Sequence, residues 1–293
     1  MYLMRSASIA CALLFCTSCS SPDADEPPVA DVSVSFSREK IALGSPVDVT
    51  YRFAVAEGAR FDGDYRVLAH FLDADEELMW TDDHLPPTPT SQWKAGQVVE
   101  YTRTVFFPVY KYVGDATLNV GLYADTDQHR LPLEGENTGQ RSYRVAAIEI
   151  LPQSENVYLI YKSGWHAREV APQNALVSWQ WTRKVSTITF RNPKRSSLLY
   201  LHVDNPGRPF KEPQRIDVVL NEQLVDSFEL PAGEEVLNRT VLQAEQLGSG
   251  DIVELQLRVD KTYVPALLPA SSSRDSRELG VRVFHVFVEP QAR

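Results

Sequence analysis

Cysteine is almost missing from this chain: of 293 residues only three are Cys, and Cys11, Cys16 and Cys19 all lie near the amino terminus. Beyond Cys19 there is no pair to form a disulfide, no thiolate set to hold zinc and no thiol nucleophile. Basic residues are in deficit too, with 29 Lys and Arg against 39 Asp and Glu and a formal charge of −10. The acids are scattered, as on a solvated surface, and the deficit excludes nucleic acid as a partner, because a phosphate backbone demands a basic face. Long apolar runs are lacking: the stretch from Ile9 to Phe15 is too short to span a bilayer. No G-x-S-x-G elbow, H-E-x-x-H pair or phosphate-cradling glycine loop occurs. The chain therefore reads as a non-enzyme that uses no cofactor.

What is present begins with a leader. Arg5, the apolar run and the small residues that follow make a secretory signal peptide over 1–18. The tripeptide Cys16-Thr17-Ser18 before Cys19 resembles the lipobox of bacterial lipoproteins, with Cys16 where leucine is usual. That resemblance implies that Cys19 is diacylated and anchors the protein in a membrane. Ser20, standing where aspartate would hold a lipoprotein at the inner membrane, implies the outer membrane or cell surface. Residues 19–28, acidic and proline-rich, read as a tether.

The body is long enough for two domains. Runs such as "VDVTYRFAV" (47–55), "YRVLAHFLD" (65–73) and "ATLNVGLYA" (116–124) are rich in β-branched and aromatic residues and bounded by Gly, Pro, Asp or Ser. Residues 29–152 read as an immunoglobulin- or fibronectin-like antiparallel β-sandwich without the disulfide. From "PQSEN" onward a second set of strands, including "VSWQW" (177–181), "SLLYLHVD" (197–204) and "LGVRVFHVFVE" (279–289), predicts a jelly-roll-like sandwich over 153–293. Within it, "IDVVLN-EQ-LVDSFEL" predicts a tight hairpin turning near Asn221 and Glu222, and "QAEQLGSG" a helical turn ended by Gly248.

In the first half, "HFLDADEELMWTDDHLPPTPTSQWKAGQVVEY" followed by "VGLYADTDQHRLPL" resembles the accessory β-sandwich of some bacterial membrane glycosyltransferases of the dolichyl-phosphate-mannose type. In the second, "SGWHAREV", "WQWTRKVSTITFRNP", "KTYVPA" and "DSRELGVRV" are similar to sandwich modules of exported proteins linked to surface polysaccharides. These resemblances imply fold and setting but no catalysis, because the transferase's hydrophobic spans are missing.

Several residues are candidates for chemistry. Asp82, Asp83 and His84, with Asp73 and Asp75 nearby, offer oxygen and nitrogen donors to a divalent cation; the alternative is a proline-braced strand connection. Trp93 either packs the end of the first sandwich or stacks on a sugar. Trp165, His166, Trp179, Trp181, Arg191, Lys194 and Arg195 gather aromatics and cations in one stretch, the groups that meet a sugar's C–H face and hydroxyls. Trp179 and Trp181, spaced by two, share a face, so both are core or both are presented. Arg277 and Glu278, leading into the last strand with Tyr263 nearby, read as ties between a loop and the sheet. These features predict a lipid-anchored envelope protein whose partner is cell-surface polysaccharide or, alternatively, other envelope proteins.

Overall fold

The structure, a computed structural model, describes residues 26–153, 157–206, 210–269 and 272–291. The stretch predicted to be a signal peptide, Cys19 and most of the predicted tether lie outside the described residues. Contacts divide the chain into two compact units, one containing Pro46–Val105 and Lys111–Ile150, the other containing Leu151 onward, with the short segments Ala42–Ser45 and Phe106–Tyr110 grouped with the second. Both are built almost wholly of antiparallel strands, as the period-two patterns predict.

The first unit carries strands β1 (Ala30–Phe36), β2 (Lys40–Ala42), β3 (Pro46–Val55), β4 (Tyr65–Leu72), β5 (Leu78–Thr81), β6 (Val98–Phe106), β7 (Gly114–Ala124), β8 (Arg130–Leu131), β9 (Glu136–Gly139) and β10 (Ser142–Leu151). One sheet runs β1-β3-β6; the other runs β2-β10-β7-β4-β5, with β8 on β7 and β9 on β10. Alternate residues of β3, including Val49, Tyr51 and Phe53, are fully buried, and Phe36 meets Phe71 of the other sheet at 6.3 Å. The result is an immunoglobulin-like sandwich closed by hydrophobic burial in place of a disulfide.

The second unit carries β11 (Leu159–Tyr161), β12 (Glu169–Ala171), β13 (Asn174–Trp181), β14 (Val185–Arg191), β15 (Ser197–Asp204), β16 (Gln214–Leu220), β17 (Gln223–Leu230), β18 (Glu235–Leu242), β19 (Ile252–Val259) and β20 (Arg282–Pro290). The sheets are β11-β14-β19-β16-β17 and β12-β13-β20-β15-β18. Count β13 as first and β20 as eighth: one sheet then reads first, eighth, third, sixth and the other second, seventh, fourth, fifth. That interleaving is the jelly roll, here extended by β11 and β12 at one edge of each sheet. Leu199, Leu201, Val203, Val218, Leu255 and Val281 fill the space between the sheets.

Two local signals in the sequence become backbone. Asn221 and Glu222 both take positive φ (46° and 69°), the requirement of a two-residue hairpin whose twist matches its strands, and Leu220 pairs with Gln223. Asn221 tolerates this conformation because its side chain is held on both ends, donating to the Gln246 and Leu247 carbonyls and accepting from the Glu254 amide. The helical turn is a single one, α1 (Ala244–Leu247), capped by reciprocal Gln243 and Gln246 contacts and ended by Gly248 at φ 71°.

Candidate functional site

The register of the sheet β12-β13-β20-β15-β18 assembles one composite surface. Trp181 lies opposite Arg282, Arg282 opposite Asp204, and Asp204 opposite Glu235, so these four form a row across four strands. Leu199, Leu201 and Val203 point into the core, so Tyr200, His202 and Asp204 point outward. Two residues before Trp181, Trp179 faces the same way, opposite Glu169 of β12. The Arg282 guanidinium donates to both carboxylate oxygens of Asp204. It also lies 4.9 Å from the Trp179 ring, 5.9 Å from Trp181 and 5.5 Å from Phe284, a cation held among three aromatic rings.

A second guanidinium ties the neighbouring loop to this surface. Arg277 donates to Glu169 Oε1 at 2.7 Å and to both oxygens of Asp275, while Glu169 Oε2 accepts from the Trp179 indole N–H at 3.2 Å. Hydrogen bonding from Arg277 holds the Asp275 carboxyl below the usual carboxylate range, and the same bond pushes the Arg277 guanidinium up. Both groups keep opposite charges across ordinary pH, and Trp179 is fixed on both its polar and its ring sides.

The other sequence candidates divide. Trp165 donates from its indole to the Thr187 carbonyl at 2.9 Å, meets Tyr161 edge-on and packs against the core, so it fastens the Gly164–His166 loop onto β14. His166 is pinned: its amide bonds the Trp181 carbonyl and its Nε2 bonds the Glu278 carbonyl at 2.6 Å. Trp181 and Trp179 share a face but not a fate: Trp181 is 6% exposed, with Tyr263 edge-on to it, while Trp179 is half-buried. The difference arises because the Tyr263–Leu279 bridge and the His166 loop close over the Trp181 end only.

The basic run does not join the tryptophans. Arg191 ends β14, whereas the Trp165 loop sits at that strand's Val185 end through bonds from Arg183 and Ser186 to the Gly164 carbonyl. The seven-residue strand separates the two by roughly 20 Å. Lys194 is engaged there by the Ser249 and Gly250 carbonyls and by Asp251, beside a buried Asn192 that donates to the Leu247, Gly248 and Gly250 carbonyls. Arg195 stands one residue on in the same loop. The cations that accompany Trp179 are instead Arg277 and Arg282. Arg282, Asp204 and Glu169 carry no local motif in the sequence, although the alternation in "GVRVFHV" marks Arg282 as sharing an outward row.

In the first unit, the stretch 81–93 disperses its donors. Asp82 accepts from Arg103 at 3.2–3.3 Å; Asp83 accepts from the Ala69 amide at 3.0 Å and the Tyr123 hydroxyl at 3.2 Å; His84 bonds the Tyr101 hydroxyl at 2.8 Å through Nε2. Asp73 accepts from the Asp75 and Glu77 amides in a turn of its own. Among the described residues no group of three or more His, Cys, Asp or Glu side chains converges on a common point. His84 instead extends the sheet, bridging to Val67. Trp93 is buried against Phe53 and Phe61, with its indole donating to the Thr88 carbonyl at 2.9 Å. It packs the end of the sandwich and presents no ring for stacking.

Burial, reinforced by the Arg103 charge, lowers the His84 pKa from 6.5 to about 4. Its folded value lies below its unfolded one, so its contribution to stability is complete above pH ~6.5 and lost as pH falls toward ~4. Wild type is expected to lose up to about 3 kcal/mol through this group between pH 7 and pH 4. Urea unfolding of the wild type and of His84→Gln at both pH values checks this; an equal loss in the two proteins would refute the assignment.

No protein-family model matches the sequence, and no curated protein matches it. Among solved structures the chain is similar to a family 35 carbohydrate-binding module from an environmental isolate, with 11% identity, TM-score 0.29 and coverage of 46% of this chain and 98% of that one. It is also similar to the N-terminal CBM22-1–CBM22-2 tandem domain from Paenibacillus barcinonensis Xyn10C, with 9% identity, TM-score 0.28 and coverage of 89% and 91%. A third is a family 43 arabinoxylan arabinofuranohydrolase from Bacillus subtilis in complex with cellotetraose, with 10% identity, TM-score 0.28 and coverage of 89% of this chain and 54% of that one. Likenesses this weak carry no argument about the present chain, whose fold rests on its own strand order.

Proposed function

We propose that this is an exported, lipid-anchored envelope protein whose second unit binds a glycan, without catalysis, on the outward surface around Trp179. The observation that carries the reading is the Trp179 indole itself. It is half-buried and fixed by Arg282 and Glu169, with guanidinium and carboxylate groups at its margins. An indole presents a flat apolar face to the C–H side of a sugar ring, and the flanking charges supply hydrogen bonds to its hydroxyls. Because these side chains are already ordered, less rotamer freedom is lost on binding. The acids beside Trp179 serve as positioning groups, since Glu169 and Asp275 bond Arg277 and Asp204 bonds Arg282. The support for the anchor is the leader with its Ser18-Cys19 junction, and the support for an outer-membrane or surface location is Ser20.

A second reading, as a protein-interaction module, is favoured by one feature: Val170, Leu176 and Val177 of the β12–β13 hairpin, at the sheet's edge, are 50%, 43% and 40% exposed. Two experiments test the main proposal. Cys19→Ser is expected to move the protein from the membrane to the soluble fraction, and unchanged fractionation would remove the anchor from the account. A polysaccharide array probed with the full chain is expected to give at least one specific ligand; a blank array would favour the interaction reading.

A further inference from the structure

The same sheet carries a pair of imidazoles that the glycan reading does not use. His202 of β15 and His285 of β20 are directly opposed in the register, just before a bulge. Their Nδ1 atoms are 3.1 Å apart, the rings are coplanar to 2° and the ring centroids are 5.4 Å apart. That centroid spacing equals the nitrogen gap plus one ring radius on each side, so both Nδ1 atoms lie on the line joining the rings. On the far side of His202, Nε2 is 2.5 Å from Glu235 Oε1. A carboxylate there accepts a hydrogen bond, so the His202 proton sits on Nε2 and its Nδ1 carries a lone pair aimed at His285. Either one proton, donated by His285, or a cation must occupy the gap, because two bare lone pairs would repel.

We propose that His202 and His285 form a site for a two-coordinate cuprous ion, held in line between their Nδ1 atoms with Glu235 orienting His202 from behind. The donor set selects this ion. Zinc and calcium demand four or more donors, and no third protein ligand converges here among the described residues. Imidazole nitrogens suit copper, and a linear pair matches the monovalent ion, which accepts two ligands opposite each other. The rings must part slightly to admit it. No electron is transferred: copper arrives and stays as Cu(I), and the His285 proton moves from Nδ1 to Nε2 through solvent, leaving the proton count of the neutral pair unchanged. Phe106 stacks on one face of the His285 ring at 4.2 Å, and the exposed remainder of the residue supplies the entry path. Burial is the largest effect opposing positive charge on His285, with His202 and Arg168 acting the same way, and Glu235 favours a cation there.

The full chain titrated anaerobically with Cu(I), and in parallel with the redox-inert Ag(I), tests the site. Any uptake by Cys11, Cys16 and Cys19 is common to all variants, so the readout is the difference: wild type is expected to take up one ion more per chain than His285→Ala or His202→Ala. The imidazole ¹⁵N resonances of both histidines in wild type are expected to shift on loading, and Glu235→Gln to weaken the site ~10-fold. Equal uptake by wild type and the two alanine variants, or unmoved His202 and His285 resonances, would overturn the proposal. The resonance measurement needs no mutant, so it decides even where a variant fails to fold.

Discussion

Gly164→Ala is expected to unfold the second unit. At this position φ is +83°, and a Cβ would lie 1.9 Å from the Val185 carbonyl oxygen and 2.7 Å from Ser186 Cα, both backbone atoms that cannot swing aside. The Gly164 carbonyl meanwhile accepts from the Arg183 amide and the Ser186 hydroxyl, so moving the loop away sacrifices those bonds. The cost combines left-handed strain with a backbone clash and should exceed about 4 kcal/mol. Gly233→Ala is the control: φ is +80° there too, but nothing lies within 4 Å of the added carbon, so a loss of about 1 kcal/mol is expected. Chemical denaturation of the three proteins separates strain from collision. Equal effects at the two glycines would mean that the loop does not press on β14 as described.

Removing Arg282 should produce the next largest effect. Its guanidinium neutralises Asp204, which is 13% exposed, and fills the space between Trp179, Trp181 and Phe284. Arg282→Ala leaves a mostly buried carboxylate without its partner and two indoles without their filler, at a cost of about 3 kcal/mol. Arg282→Lys keeps the charge but loses the two-pronged bond, so an intermediate loss is expected. Pairing Arg282→Met with Asp204→Leu removes both charges and should recover much of the stability lost by Arg282→Ala. Urea midpoints report the series, and tryptophan emission reports whether Trp179 has loosened. If the double variant were no more stable than Arg282→Ala, the stranded charge would not be the source of the loss.

The sandwiches were legible because burial wrote period two into the strands: β3, β4 and β7 alternate or fill with apolar residues as their sheets require. The hairpin at Asn221-Glu222 and the turn ended by Gly248 were legible because positive φ restricts which residues can serve. Strand β18 is hard to read from the sequence for an equally physical reason. Its inward row is Val236, Asn238, Thr240 and Leu242, half polar, because Asp226 accepts hydrogen bonds from both Asn238 and Thr240 at 2.8 and 2.5 Å. Satisfied polar groups inside a sheet erase the alternation by which strands are recognised. Proximity in sequence also misled: Arg191, Lys194 and Arg195 follow the tryptophans closely along the chain, yet one strand carries them to its opposite end. The groups that do surround Trp179 come from far away, Arg277 meeting Glu169 across 108 residues and Arg282 meeting Asp204 across 78. Composition can nominate such residues, but only strand order brings them together.

With a polysaccharide ligand in hand from the array, one comparison tests whether the glycan binds at Trp179: the affinity of the wild type, of Trp179→Ala and of Val170→Asp for that ligand, each shown to be folded by its denaturation midpoint. Trp179→Ala is expected to lose binding at least ~10-fold, the equivalent of about 1.4 kcal/mol, while Val170→Asp on the edge hairpin retains it. Binding unchanged in Trp179→Ala, or abolished only in Val170→Asp, would contradict the account.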